Sequence, residues 1–341
     1  MLSVLPVARH RREFNAYLRS LISDHQPLLL NRMIRYHLGW EDAAGQPQDA
    51  GGKGLRPTLC LLSCEAAGGE WHRALPAAAA VELVHNFSLI HDDVQDRDQE
   101  RHHRPTVWSI WGEAQAINAG DGLLALARPV VLRLADEGVA AATVIEAARV
   151  LDESTLEMVA GQTLDLAFEE KTDVDLPAYL QMVRQKSGAL FDSAFRLGVL
   201  TADGDWELAE RLGRVGRTLG TAFQVRDDML GVWGDESKTG KAAGADVYRR
   251  KKSLPVVYAL SEGKAGTREE LRAIYDKPAL DADDVAQVRQ HLDEVGARGY
   301  CERQAAELKG NAIAELGRLD LVPGPREEIV QIAEFLLERE F

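Results

Sequence analysis

Cysteine is scarce in this chain of 341 residues: Cys60, Cys64 and Cys301 are its complement. An odd number without metal-like pairing argues against a disulfide frame and a zinc site, and marks them as reduced, buried thiols. Long apolar runs are missing too. No stretch approaches the ~20 uncharged residues needed to cross a bilayer, although 45% of the residues are hydrophobic, ample for a large core. The opening MLSVLPVARHRREF sets its bases after a very short apolar stretch, the reverse of a secretory signal, so a soluble, cytoplasmic protein is expected. Positive charge is in deficit: 40 Lys and Arg against 54 Asp and Glu give a formal charge of −14. Such a surface repels nucleic acid as a whole, and it makes local clusters of cations informative.

Alternating β-branched runs are nearly absent, and no solenoid-period repeat or low-complexity tract occurs. What remains is Ala- and Leu-rich sequence with apolar spacings of three and four, which predicts an all-α protein. Helices are expected over about 10–38, 55–67, 76–95, 113–136, 139–170, 176–202, 205–232, 253–263, 267–276, 281–317 and 325–339. Helices of ~20–30 residues reach ~30–45 Å, the scale of a bundle that spans a whole domain. No segment reads as a linker, so a single domain over 1–341 is expected. The richest loops, Glu41–Gly54 and Gly234–Lys252, mix glycine with cations.

Two acidic motifs carry the chemistry. In the segment from His85 to Asp96, helical geometry puts His85, Ser88, Asp92 and Asp96 on one stripe with Asp93 beside it. Carboxylates so close repel one another, and at a helix C-terminus they also oppose the macrodipole. A divalent cation reverses that cost. The segment Phe223–Gly231 repeats the pattern near the end of another long helix, with Gln224, Asp227 and Asp228 on adjoining positions. Two such pairs at the same end of two bundle helices can face each other across a cavity. Hard oxygen donors of this kind suit magnesium, which keeps much of its shell for water and phosphate oxygens.

Cations accompany them. Gly52-Lys53-Gly54-Leu55-Arg56-Pro57 sets two at a loop-to-helix junction, where backbone amides favour a phosphate, although its glycine spacing is not that of a P-loop. Arg101-His102-His103-Arg104-Pro105-Thr106 follows the first acidic motif, Lys186-Ser187 interrupts a helix, and Lys241 and Lys251 flank the second motif. Trp108 and Trp111 read as packing residues.

The ordered set GKxxRP, DDxxD, RxxRPT, KS, FQxxDD and TGK with a later KKS resembles the trans-isoprenyl diphosphate synthases of the polyprenyl synthetase family, from Gly52 to about Leu260. The resemblance implies a bundle of antiparallel helices, commonly homodimeric, that joins an allylic diphosphate to isopentenyl diphosphate. By motif, Asp92, Asp93, Asp96, Asp227 and Asp228 would hold magnesium ions bridging the allylic diphosphate. Arg101, Lys186 and Lys241 would bind that diphosphate, and Lys53, Arg56 and His85 the isopentenyl diphosphate. Gln224, Ser187 and Lys251 would line the place where charge develops.

Three positions depart from the family pattern. His102 stands where a second arginine for isopentenyl diphosphate is usual, Gly231 where a third aspartate is usual, and Gly54 where GKRxRP has its first arginine. Competing readings are a class I terpene cyclase, a regulatory subunit that has lost its chemistry, and a helical hydrolase using His91-Asp92 as a metal dyad. The cyclase would want Ser or Thr near 231 and would not need Lys53 and Arg56. For product length, Ser88 lies one turn before Asp92 on its own face, while Phe87 lies ~140° away on the flank. An aromatic there is similar to length-limiting residues in the family, and the first motif lacks a two-residue insertion. This combination resembles enzymes making the twenty-carbon geranylgeranyl product, with fifteen-carbon farnesyl diphosphate the close second.

Overall fold

A computed structural model describes residues 9–22, 29–52, 54–169, 171, 173–234 and 244–337. In chain order the helices are α1 (Arg11–Leu21), α2 (Leu29–His37), α3 (Leu55–Ala66), α4 (Leu75–Gln95), α5 (Val107–Trp111), α6 (Glu113–Leu132), α7 (Ala141–Glu169), α8 (Leu176–Val183), α9 (Ala189–Ala202), α10 (Trp206–Trp233), α11 (Ala245–Tyr248), α12 (Leu254–Glu262), α13 (Ala265–Tyr275), α14 (Ala282–Glu294), α15 (Ala297–Leu316) and α16 (Pro323–Leu337). The all-α expectation holds. Among the described residues the paired strands are β1 (Glu100–Arg101) and β2 (Arg104–Pro105), an antiparallel hairpin between α4 and α5. No described helix is long and apolar enough to cross a membrane.

Where the elements differ from expectation, local chemistry explains them. The helix expected over 281–317 divides at Gly296, whose φ of +71° is a left-handed conformation that glycine adopts without a Cβ penalty. The helix expected over 176–202 is continuous but wider in the middle, because Arg184–Gly188 forms a π turn between α8 and α9. The helix expected over 10–38 comprises α1 and α2, and residues 23–28 between them lie outside the described residues.

The chain divides into two compact units, one of residues 1–155, 193–213 and 319–332, the other of 156–192, 214–318 and 333–341. Helices α7, α9, α10 and α16 contribute residues to both. In the first unit α4 starts with Pro76 at its N-terminus and buries Ala77, Ala78, Ala79, Ala80 and Val81, so it is apolar on nearly every side, as a core helix must be. It packs along α6, where a side chain on Gly120 would overlap the His91 ring. In the second unit Tyr179, Met182 and Val183 of α8 share a core with Val225, Met229 and Val232 of α10 and Leu254 and Val257 of α12. All three cysteines are free and buried, as expected.

Candidate active site

The first acidic motif occupies the last turn of α4, in the first unit. Asp96 caps the helix, its amide donating to the Asp92 carbonyl at 2.8 Å, and the motif grades from buried Asp93 through half-buried Asp92 to exposed Asp96. Asp93 is tied to the hairpin: Arg101 Nε donates to its Oδ1 at 2.7 Å. Burial pushes the Asp93 carboxyl up to about 6, against the pull of Arg101. Asp92 and Asp96, four residues apart, lie toward solvent as a pair of hard oxygen donors suited to a divalent cation.

Behind that motif lies a cluster of cations and imidazoles. Arg56, in the first turn of α3, has Nη1 3.1 Å from His85 Nε2. A guanidinium has no acceptor, so Arg56 donates and His85 keeps that nitrogen bare. Burial, then Arg56 and Arg101, hold the His85 imidazole well below its usual range. Burial also brings Arg56 down to about 10, with Glu82 pulling the other way. His37, which sequence reasoning passed over, is pushed down to about 3 by burial and by Arg101 and Arg104. Arg104 itself donates to the Tyr36 and Glu41 carbonyls at 2.8 and 3.2 Å and lies over the Tyr36 ring, so it braces the hairpin. His102 and His103 form the two-residue turn between the paired Arg101 and Arg104, both with positive φ, 52° and 59°. This is the backbone of a primed hairpin turn, usually made by Asn and Gly.

The proposed length-setting positions differ in setting. Phe87 is buried and stands edge-on to His91, ring centroids 4.8 Å apart, while His91 Nε2 lies 3.2 Å from the Ile117 carbonyl. Ser88 is half-buried, and its hydroxyl donates to the His85 carbonyl at 2.8 Å.

The second motif belongs to the second unit. Asp228 is fully buried and accepts from Tyr179 Oη, from the Leu254 amide at 3.0 Å and from Gln224 Nε2 at 3.0 Å. Gln224 Oε1 in turn accepts from Ser187 Oγ at 2.7 Å. The chain Ser187–Gln224–Asp228–Tyr179 therefore fixes which way the Gln224 amide faces. Burial pushes Asp228 up to about 6 against Lys251 and these donors. Asp227, on the adjoining position, is half-buried. Lys186 Nζ donates to Asp165 Oδ2 at 2.6 Å. Burial would raise Asp165, but Lys186 and Lys251 outweigh it and hold the carboxyl low. Lys251 shows the converse: burial opposes its charge, yet Asp246, Asp228, Asp165 and Asp227 together raise it.

Geometry thus joins Arg56 with His85, Asp93 with Arg101, and Ser187 with Gln224 and Asp228. Lys53 and Lys241 lie outside the described residues. Among the described residues no three His, Cys, Asp or Glu side chains converge as a ligand set. The residues missed by sequence reasoning are Asp165, Tyr179 and Asp246, which act on Lys186, Asp228 and Lys251, and His37 among the cations behind the first motif. Asp165 lies in the run GQTLD, four residues after Gly161, where nothing but an acid on a long apolar helix marks it.

The profile of the polyprenyl synthetase family matches residues 40–292. A geranylgeranyl diphosphate synthase of Mycobacterium tuberculosis is 40% identical over 325 residues, 94% of this chain and 89% of that one. A (2E,6E)-farnesyl diphosphate synthase of the same organism is 38% identical over 312 residues, 90% and 86% of the two chains. The crystal structure of a polyprenyl synthetase from Streptomyces coelicolor A3(2) superposes with a TM-score of 0.90 at 37% identity, covering 97% of this chain and 98% of its own.

Proposed function

The chain belongs to the polyprenyl synthetase family and is a prenyltransferase, and from that premise we propose that it condenses isopentenyl diphosphate with an allylic diphosphate to make geranylgeranyl diphosphate, farnesyl diphosphate being the second choice. The observation that carries the reaction is the row of acids at the end of α4, graded from buried to exposed, with the Arg56–His85 pair behind it. The acids suit a metal-bound diphosphate, and the buried cation suits a metal-free one.

Magnesium fits the donor set. Asp92 and Asp96 of the first motif and Asp227 of the second are carboxylates that are not buried, whereas Asp93 is held by Arg101 and Asp228 by Tyr179 and Gln224. When bound, the metal neutralises charge on the departing pyrophosphate. Arg101, Lys186 and Lys241 bind the allylic diphosphate; Arg56, His85 and Lys53 bind the other substrate. The allylic C–O bond breaks and its electron pair leaves with pyrophosphate. The alkene of isopentenyl diphosphate then forms the new C–C bond, and a proton passes to the released pyrophosphate. The oriented Gln224 amide and Ser187 hydroxyl supply fixed dipoles beside the developing cation, and Lys251 holds its charge within four carboxylates. No nucleophilic side chain is needed. The active form is taken as a homodimer, and this too is part of the proposal.

Product length rests on Phe87, packed on the flank against His91, and on the small Ser88 one turn before Asp92. Incubation with magnesium, geranyl diphosphate and isopentenyl diphosphate, then chromatography of the dephosphorylated products, should give a dominant twenty-carbon alcohol. A fifteen-carbon end product would shift the assignment to farnesyl diphosphate, and no condensation would remove the proposal.

A further inference from the structure

The π turn Arg184–Gly188 carries both Lys186 and Ser187, and two helices grip it in the same way. On α7, a Cβ at Gly161 would overlap the Lys186 amide nitrogen and lie 2.7 Å from Lys186 Cα and 2.9 Å from the Gln185 carbonyl carbon. One helical turn further along α7, Asp165 accepts from Lys186 Nζ at 2.6 Å. On α10, a Cβ at Gly220 would lie 3.0 Å from Gly188 Cα and 3.0 Å from the Phe191 ring. One turn further along α10, Gln224 Oε1 accepts from Ser187 Oγ at 2.7 Å. Each helix thus presents a glycine followed four residues later by a polar side chain, the spacing that stacks two positions on one face.

From this repeated arrangement we infer that Gly161 and Gly220 are positioning residues for catalysis: each lets the π turn sit against its helix, so that Asp165 can aim Lys186 and Gln224 can aim Ser187. A π turn inserts one extra residue into a helix and so bulges outward. The bulge needs room, and a glycine on the facing helix provides it where backbone meets backbone. Were the turn held off by one methyl group, the Lys186–Asp165 and Ser187–Gln224 bonds would stretch past hydrogen-bonding range. The same helices are also joined by an ion pair: Arg217 Nη2 donates to Asp192 Oδ2 at 2.7 Å and to Glu157 Oε2 at 2.9 Å. This ion-pair network ties α7, α9 and α10 together without using either glycine.

This inference rests on the reading of Lys186 and Ser187 given above, and the test separates the two. Turnover of geranyl diphosphate with isopentenyl diphosphate is measured for Gly161→Ala, Gly220→Ala, Lys186→Ala, Ser187→Ala and the doubles Gly161→Ala/Lys186→Ala and Gly220→Ala/Ser187→Ala. A misplacement of this size costs about 100-fold in kcat at Gly161, and about 10-fold at Gly220, where the contact is looser. Each glycine effect should vanish in the background of its own partner, so that the double is no slower than Lys186→Ala or Ser187→Ala alone. Multiplying effects, full turnover in Gly161→Ala, or a larger loss at Gly220 than at Gly161 would overturn the inference. If Gly161→Ala does not fold, Asp165→Asn, which adds no heavy atoms, takes its place and must be masked by Lys186→Ala in the same manner. Full turnover in Lys186→Ala would instead overturn the reading of the site.

Discussion

The carboxylate of Asp246 fills the space beside Gly231: a Cβ at position 231 would overlap Asp246 Oδ2 and stand 3.1 Å from Asp246 Cβ. Position 231 is one helical turn beyond Asp227, where a third acid would complete the second motif. In this chain a carboxylate reaches the same place from α11. Gly231→Asp would force two carboxylates into one volume and should destabilise the protein by about 2–4 kcal/mol in urea unfolding. Adding Asp246→Gly should recover most of that loss. Wild-type stability in Gly231→Asp alone would show that the two positions do not compete.

Acid should weaken the first unit through His37. Its folded-state value lies near 3 against an ordinary 6.5, so between these the unfolded chain binds the proton and the native state does not. Stability is therefore full above pH 6.5 and falls as the pH drops toward 3, by on the order of 4 kcal/mol if the site stays closed. In His37→Gln this part of the pH dependence should disappear from unfolding curves at pH 7 and pH 4.5. An unchanged pH profile in the variant would assign the loss to other groups.

Much of the fold was legible because core helices announce themselves: α4 and α10 keep their apolar spacing over 21 and 28 residues, and their boundaries fall within a residue or two of expectation. The hairpin at 100–105 was not legible. It rests on Arg104 bracing Tyr36 from 68 residues away and on histidines in left-handed conformations, neither of which leaves a local pattern. The motif residues stood out because several acids or bases cluster where a bland helix would not put them. Asp165, Tyr179 and Asp246 did not, since each is a single polar residue whose partner is fixed only by tertiary packing.

His102 lies at the tip of the hairpin that carries Arg101 to Asp93. As a stand-in for an arginine at the isopentenyl diphosphate site, it should respond to His102→Arg with a KM for isopentenyl diphosphate lowered several-fold and an unchanged KM for the allylic partner. Equal shifts in both constants, or none, would give the position another role.

Product length should respond to Phe87 and Ser88, five and four residues before Asp92. Phe87→Ala removes the ring that rests on His91 and should lengthen the products, at a stability cost of about 3 kcal/mol. Ser88→Phe should shorten them toward ten or fifteen carbons. Chromatography of the dephosphorylated products reads both, and unmoved distributions in both variants would remove these positions from length control.

The central claim is that acids from the two motifs act through a divalent metal on an allylic diphosphate. Incorporation of labelled isopentenyl diphosphate with geranyl diphosphate tests it most directly, in magnesium and in excess chelator, for the wild type, Asp92→Ala and Asp227→Ala. Incorporation is expected only in the wild type with metal, with losses of at least about 100-fold in both variants and with helical content and Tm retained. Undiminished incorporation in chelator, or in either variant, would contradict it.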